Sequence, residues 1–119
     1  FFTGAKDMEY RNAIVYGIFC VNKRFGAVWS FAEEPGQAHQ FELSKKFIFH
    51  YFQAIINLRM KPNSSELIAI VSEKGYIGDF KNLKISTVAE WVRQDYPVCW
   101  LPDKKTAEIW LNLIKGEDF

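Results

Sequence analysis

Leu43, Phe47, Tyr51, Ile55 and Leu58 follow one another at steps of four, four, four and three. Only a helix brings that spacing onto one face. The stripe predicts a long helix from Leu43 to Met60, ended by Pro62-Asn63-Ser64-Ser65. A helix with one apolar face needs a second layer to cover it. The rest of the chain must therefore supply a sheet or further helices.

Residues 13 to 21, Ala-Ile-Val-Tyr-Gly-Ile-Phe-Cys-Val, are apolar and β-branched, which predicts a buried strand. Asn22 to Gly26 reads as a polar turn, and Ala27 to Phe31 as a returning strand, so the two form a hairpin. Glu33-Glu34-Pro35-Gly36 breaks it. Phe1-Phe2-Thr3 and His39 to Leu43 are candidates for two more short strands. Leu67 to Val71 is wholly apolar and reads as a central parallel strand buried on both faces. Gly75 to Leu83 and Thr87 to Arg93 read as short helical pieces. Pro97 and Pro102 bracket an aromatic connection. Asp103 is placed to cap a last helix whose apolar face is Ile109, Trp110, Leu113 and Ile114. The expected fold is α/β: a mixed sheet of antiparallel hairpin strands plus one central parallel strand, flanked by helices.

At 119 residues the chain makes a single domain, residues 1–119, with room for a sizeable core. An apolar fraction of 49% and an aromatic fraction of 17% argue for a packed interior rather than disorder. Fifteen basic residues balance fourteen acidic ones, for a net charge of +1. A domain that lives on phosphate contacts is usually far more basic. Cys20 and Cys99 lack metal-binding spacing and fit reduced thiols of an intracellular compartment. There is no apolar run long enough for a membrane span. The chain opens Phe-Phe-Thr without Met, so it reads as a piece of something longer.

Four segments in this order resemble ribonuclease H, including the ribonuclease H domains of reverse transcriptases. Phe1-Phe2-Thr3-Gly4-Ala5 is similar to the family's first strand, which ends in an aromatic-x-Thr-Asp-Gly-Ala type sequence. Gln40-Phe41-Glu42-Leu43 is similar to the start of its long helix, where a Glu-Leu pair supplies a catalytic acid. Ile70-Val71-Ser72-Glu73-Lys74-Gly75-Tyr76-Ile77 looks like its strand-to-helix step, normally Thr-Asp-Ser and then an aromatic. Trp91, then Asp103-Lys104-Lys105 and Ile109-Trp110-Leu111, resembles the helices that follow.

The resemblance implies hydrolysis of RNA in RNA–DNA hybrids by two Mg²⁺ ions held on four carboxylates. Glu42 and Glu73 are the metal-ligating, catalytic candidates it singles out. The carboxylate bridging both ions is absent: Gly4 takes its place, or it is deleted between Thr3 and Gly4, with Asp7 beyond the strand end. Glu73 replaces an Asp and is one methylene longer, whereas such sites tolerate errors of about 0.5 Å. Mg²⁺ demands near-octahedral oxygen geometry. The expectation is a catalytically degenerate ribonuclease H-like domain serving as an interaction or scaffolding module. No cofactor is expected, and its partner is a protein or a neighbouring domain of the same polypeptide. Two alternatives stay open: an active nuclease using Mg²⁺ that completes its site with acids outside these residues, and a non-catalytic module binding RNA or an RNA–DNA hybrid through Lys45 and Lys46. A profilin- or longin-like fold also opens with a hairpin and a helix. It would need two or three antiparallel strands after residue 67, where one strand is legible.

Each candidate has a plainer explanation. Glu42 suits the positive end of a helix, and Glu73 a solvated surface. Lys45, Lys46, Lys23 and Arg24 suit a solvated face, and His50 a partly buried position. Trp91, Tyr96, Trp100 and Trp110 suit a core or a protein contact as well as a platform for stacked bases.

Overall fold

In the computed structural model, which describes residues 1–119, the chain is a mixed α/β fold. Strand β1 (Phe2–Gly4) leads into helix α1 (Glu9–Arg24), strand β2 (Ala32–Glu34) and helix α2 (Leu43–Arg59). A 3-10 turn (Ser72–Lys74) precedes β3 (Tyr76–Asp79), β4 (Lys84–Thr87) and β5 (Cys99–Leu101), and helix α3 (Lys104–Lys115) closes the chain. β1 and β2 pair in parallel, with Phe2 opposite Ala32 and Gly4 opposite Glu34. β3 is the middle strand of a separate antiparallel sheet, between β4 and β5.

The long helix stands where its stripe placed it. Phe47 is buried, and Leu43, Tyr51, Ile55 and Leu58 are half-buried along the same face. α3 also follows its sequence signals. Asp103 Oδ1 accepts the Thr106 amide at 2.7 Å, and Trp110 and Leu113 are fully buried.

Residues 13 to 21 are the clearest correction: they lie inside α1, so the expected hairpin is absent. The cause is a helix with apolar residues on two faces. Tyr16 and Phe19 turn inward onto the core while Ile14, Ile18 and Val21 are exposed. A helix apolar on both sides loses its 3.6-residue signature, and β-branched content then favours the wrong element. The end signals were in the chain: Glu9 in the first turn, Lys23 and Arg24 in the last, and Gly26 at a φ of 83° just beyond. Ala27 to Phe31 is not a strand, and β2 begins only at Ala32.

Leu67 to Val71 is the second correction. It forms no strand beyond one bridge from Leu67 to Met60, and Leu67 is 61% exposed. A short apolar run says nothing of whether a neighbouring strand exists to pair with it. The expected central parallel strand is therefore missing, and β3 takes the central place in an antiparallel sheet. Gly75 to Leu83 is β3 and its following turn, not a helix. Gly78 belongs to the strand because the Trp110 ring lies against it. A Cβ there would sit 2.7 Å from that ring. Thr87 ends β4, and residues 88 to 93 are turn and coil. Thr87 and Glu90 exchange hydrogen bonds as in a capping box, which explains the helical signal without a helix behind it. The aromatic connection before Pro102 is β5. Three antiparallel strands thus do follow residue 67, but the hairpin that a profilin- or longin-like fold also needs is not formed.

The two sheets meet at Phe31. Its amide donates to Cys99 Sγ at 3.1 Å, and its carbonyl accepts the Cys99 thiol at 3.0 Å and the Trp110 indole N–H at 2.8 Å. The Trp100 amide donates to the Trp29 carbonyl at 3.0 Å. Phe19, Phe47, Leu101 and Leu113 complete the core around this junction.

Glu34, only 3% exposed, holds the start of α2. Its carboxylate accepts the amides of Leu43 at 2.7 Å, Ser44 at 3.2 Å and Glu42 at 3.3 Å, together with the Ser44 hydroxyl at 2.5 Å. Burial pushes its pKa up. The bonds from Ser44, Leu43 and Glu42 outweigh burial and leave the group below its ordinary 4.5. A depressed carboxylate stabilises the fold above the unfolded pKa and loses that contribution as pH falls through the folded one. Denaturation midpoints should therefore hold at neutral pH and drop below about pH 4.5. In Glu34→Gln that drop should be smaller, from a lower starting stability. Phe47→Ala should cost about 2–5 kcal/mol and Ile55→Ala less, since Ile55 is half-buried, as read by chemical denaturation.

Candidate functional site

Parallel strands joined through helices gather loops at their carboxyl ends, where α/β proteins commonly place ligands. Here that edge carries a cleft of about 270 Å³ lined by Gly4, Asp7, Arg11, Asn12, His39 and Phe41, among others. Asp7 lies between β1 and α1, and His39 between β2 and α2. Asp7 Oδ2 lies 2.9 Å from His39 Nδ1, and Arg11 Nη1 is 3.6 Å from Asp7 Oδ1 and 3.4 Å from His39 Nδ1. The His39 bond, then the Met8 amide, hold the Asp7 carboxyl below its usual range. Asn12 Nδ2 donates to the Gly4 carbonyl at 2.9 Å, while its Oδ1 is buried without a partner.

This arrangement fixes an imidazole with Nε2 directed away from its carboxylate. That is half of a general-base device. The other half is missing: His39 Nδ1 is taken by Asp7, with the Arg11 guanidinium beside it, and no hydroxyl or thiol bonds to His39. The cluster ties the two loops together and carries no nucleophile.

Glu42 lies at the N-cap of α2, exposed, and its side chain makes no capping bond. The capping is done by Glu34, which in sequence looks like part of a breaker. Its adjacent acid, Glu33, is exposed, and strand alternation through Ala32-Glu33-Glu34 is the signal that singles out Glu34 as inward. Glu73 sits in the exposed 3-10 turn before β3, not at a strand's carboxyl end. Nowhere do three or more His, Cys, Asp or Glu side chains gather closely enough to hold a metal ion. Lys46 Nζ is paired with Asp118 at 2.6 Å, and Lys45 is exposed on α2. His50 is half-buried. Trp100 and Trp110 are buried, their indole N–H groups donating to Ser72 and Phe31 carbonyls. Tyr96 donates its hydroxyl to Asp79 at 2.9 Å. These rings do not make an open platform. No helix is long and apolar enough to cross a membrane.

Gly4 is needed as glycine. A Cβ there would lie 2.0 Å from the Ala38 carbonyl oxygen and 2.5 Å from that of Gln37. The loop after β2 closes directly over β1, and the Lys6 amide donates to the Gln37 carbonyl at 2.8 Å. The position that the ribonuclease H likeness assigns to a bridging carboxylate therefore has no room for one.

Compared with protein-family models, with curated proteins and with solved structures, the chain has no significant match.

Gly4→Asp should destabilise the protein by about 3 kcal/mol or more, because backbone must move to admit the side chain. A thermal melt reads this directly, and an unchanged melting temperature would show that the loop over β1 yields freely.

Proposed function

We propose that this domain is a non-catalytic interaction module that binds an apolar protein surface, either a partner's or that of a neighbouring domain. One observation carries the proposal. The outer face of α2 and the segment after it present Phe49, Phe52, Ile56, Met60, Leu67 and Ile68 to solvent, with Phe49 77% exposed. Phe49, Phe52 and Ile56 share one face of α2 at steps of three and four, and Met60 follows at its end. Leu67 bridges to Met60, and Ile68 is held to Arg59 by bonds of 2.7 and 3.1 Å. Scattered exposed apolar residues are ordinary, but a contiguous aromatic and aliphatic patch marks a contact surface. The near-neutral charge supports a protein over a phosphate backbone.

A distant ribonuclease H lineage is compatible with β1, α2 and α3 falling in the expected order. It draws no support from the N-terminal half, where α1 replaces the hairpin. Glu42 and Glu73 stand on separate loops of the molecule, and Lys46 is engaged by Asp118. These features weigh against both the Mg²⁺-dependent nuclease and the nucleic-acid-binding alternative.

Three outcomes of one set of assays separate the readings. The native protein should bind an apolar fluorescent dye, and Phe49→Glu with Phe52→Glu should reduce that signal, leaving the share due to the exposed face of α1, without lowering the thermal midpoint. A labelled RNA–DNA hybrid should neither be cleaved in Mg²⁺ or Mn²⁺ nor bound at physiological salt. Cleavage abolished by Glu42→Gln would establish a live nuclease. Hybrid binding lost on Lys45→Ala with Lys46→Ala, yet kept in the Phe49/Phe52 variant, would establish a nucleic-acid module.

A further inference from the structure

Glu9, Ala13 and Tyr16 follow at steps of four and three, so they share one side of α1. On that side a cleft of about 450 Å³ opens between α1, β2, the turn from β3 to β4, and α3. Its volume falls within the range of small-molecule sites. Three of its lining side chains are aromatic. Tyr16, Phe31 and Phe80 meet edge to face, with ring centroids 5.4 to 6.0 Å apart. Leu83, in the turn, adds an apolar wall. It stands at a φ of 51°, in the left-handed region that a bulky residue rarely takes. Glycine or asparagine would serve the turn at lower cost, so what leucine adds there is its side chain.

The charged groups of the lining are Glu9 and Glu33, both exposed, with no Lys, Arg or His among the rest. The ion pairs of the molecule leave both carboxylates out. Glu33 accepts only the Thr3 hydroxyl, at 3.5 Å. The cleft thus joins an apolar, aromatic lining to two negative charges that nothing in the chain neutralises.

We infer that this cleft binds a small organic cation, an aromatic or aliphatic body carrying one protonated amine. The body covers the Leu83 and Phe80 side chains. The ammonium group is drawn to Glu9 and Glu33 and to the faces of the rings. An anion of the same shape meets two like charges and no base. The cleft shares no residue with the apolar face on α2, so the two sites stand or fall separately.

The test is calorimetric titration of the protein with tryptamine, with indole-3-propionate as the same ring bearing the opposite charge. Tryptamine should bind at least about tenfold more tightly, and its binding should weaken as salt rises. Glu9→Gln with Glu33→Gln, both at exposed positions, should leave the thermal melt unchanged and remove that preference. Ala13→Trp, at an exposed position of the wall, should block both compounds by filling the cleft. Phe49→Glu with Phe52→Glu should alter neither result. Equal binding of the two compounds, or no binding of tryptamine, overturns the inference. Tryptamine binding that survives both Glu9→Gln with Glu33→Gln and Ala13→Trp, yet is lost in the Phe49/Phe52 variant, also overturns it. Tighter binding of Nα-acetyllysine amide than of tryptamine would give the cleft to a protein side chain and overturn the small-molecule assignment.

Discussion

The fold depends on the hydrogen bonds that converge on Phe31. The molecule has two small sheets, and no strand of one pairs with a strand of the other. What joins them is an extended segment whose backbone is claimed by side chains: a thiol on one side, an indole on the other. Cys99 both accepts and donates there, which a hydroxyl could also do but an alanine could not. With Phe31 held, its ring enters the aromatic group of Tyr16, Phe19 and Phe80, so α1 is fastened to the same point. A buried backbone that lacks strand partners must find side-chain ones, and here they come from distant parts of the chain.

A second constraint acts at the other end of β2. Glu34 places a negative charge where α2 has its unsatisfied amides, and so fixes the angle at which the long helix leaves the sheet. The loop that carries the chain from Glu34 to α2 is drawn over β1, close enough that only glycine fits at position 4. The crowding that excludes a side chain at Gly4 and the cap that anchors α2 are one arrangement seen from its two sides.

The sequence made plain the elements whose signals are local and single-faced. α2 showed one stripe, and α3 one stripe plus a capping aspartate. It hid the elements whose identity is settled by what lies opposite. Ala13 to Val21 has apolar residues on every side, because one face meets the core and the other is exposed, so its periodicity cancels. Leu67 to Val71 looks like a central strand by composition, yet no strand stands beside it. β3 carries a glycine that only makes sense once Trp110 is seen against Gly78. Glu42 and Glu73 stand out in sequence by motif alone, which says nothing of the elements that carry them. With α1 where a hairpin was expected, Glu42 and Glu73 are carried by loops of different sheets. Glu34, the acid that matters most to the fold, carried no motif and was marked only by alternation along a three-residue strand.

Cys99 has one further consequence. Burial drives its thiol up to about 12, and no part of the residue is open to solvent. A thiolate is the reactive form, so in the folded protein this cysteine is closed to alkylating reagents on both counts. It is exposed only when β5 leaves Phe31, which is when the two sheets part. Its modification rate therefore measures the opening of the whole domain, while half-buried Cys20 reports the looser motions of α1. The chain thus carries an internal clock for its own unfolding.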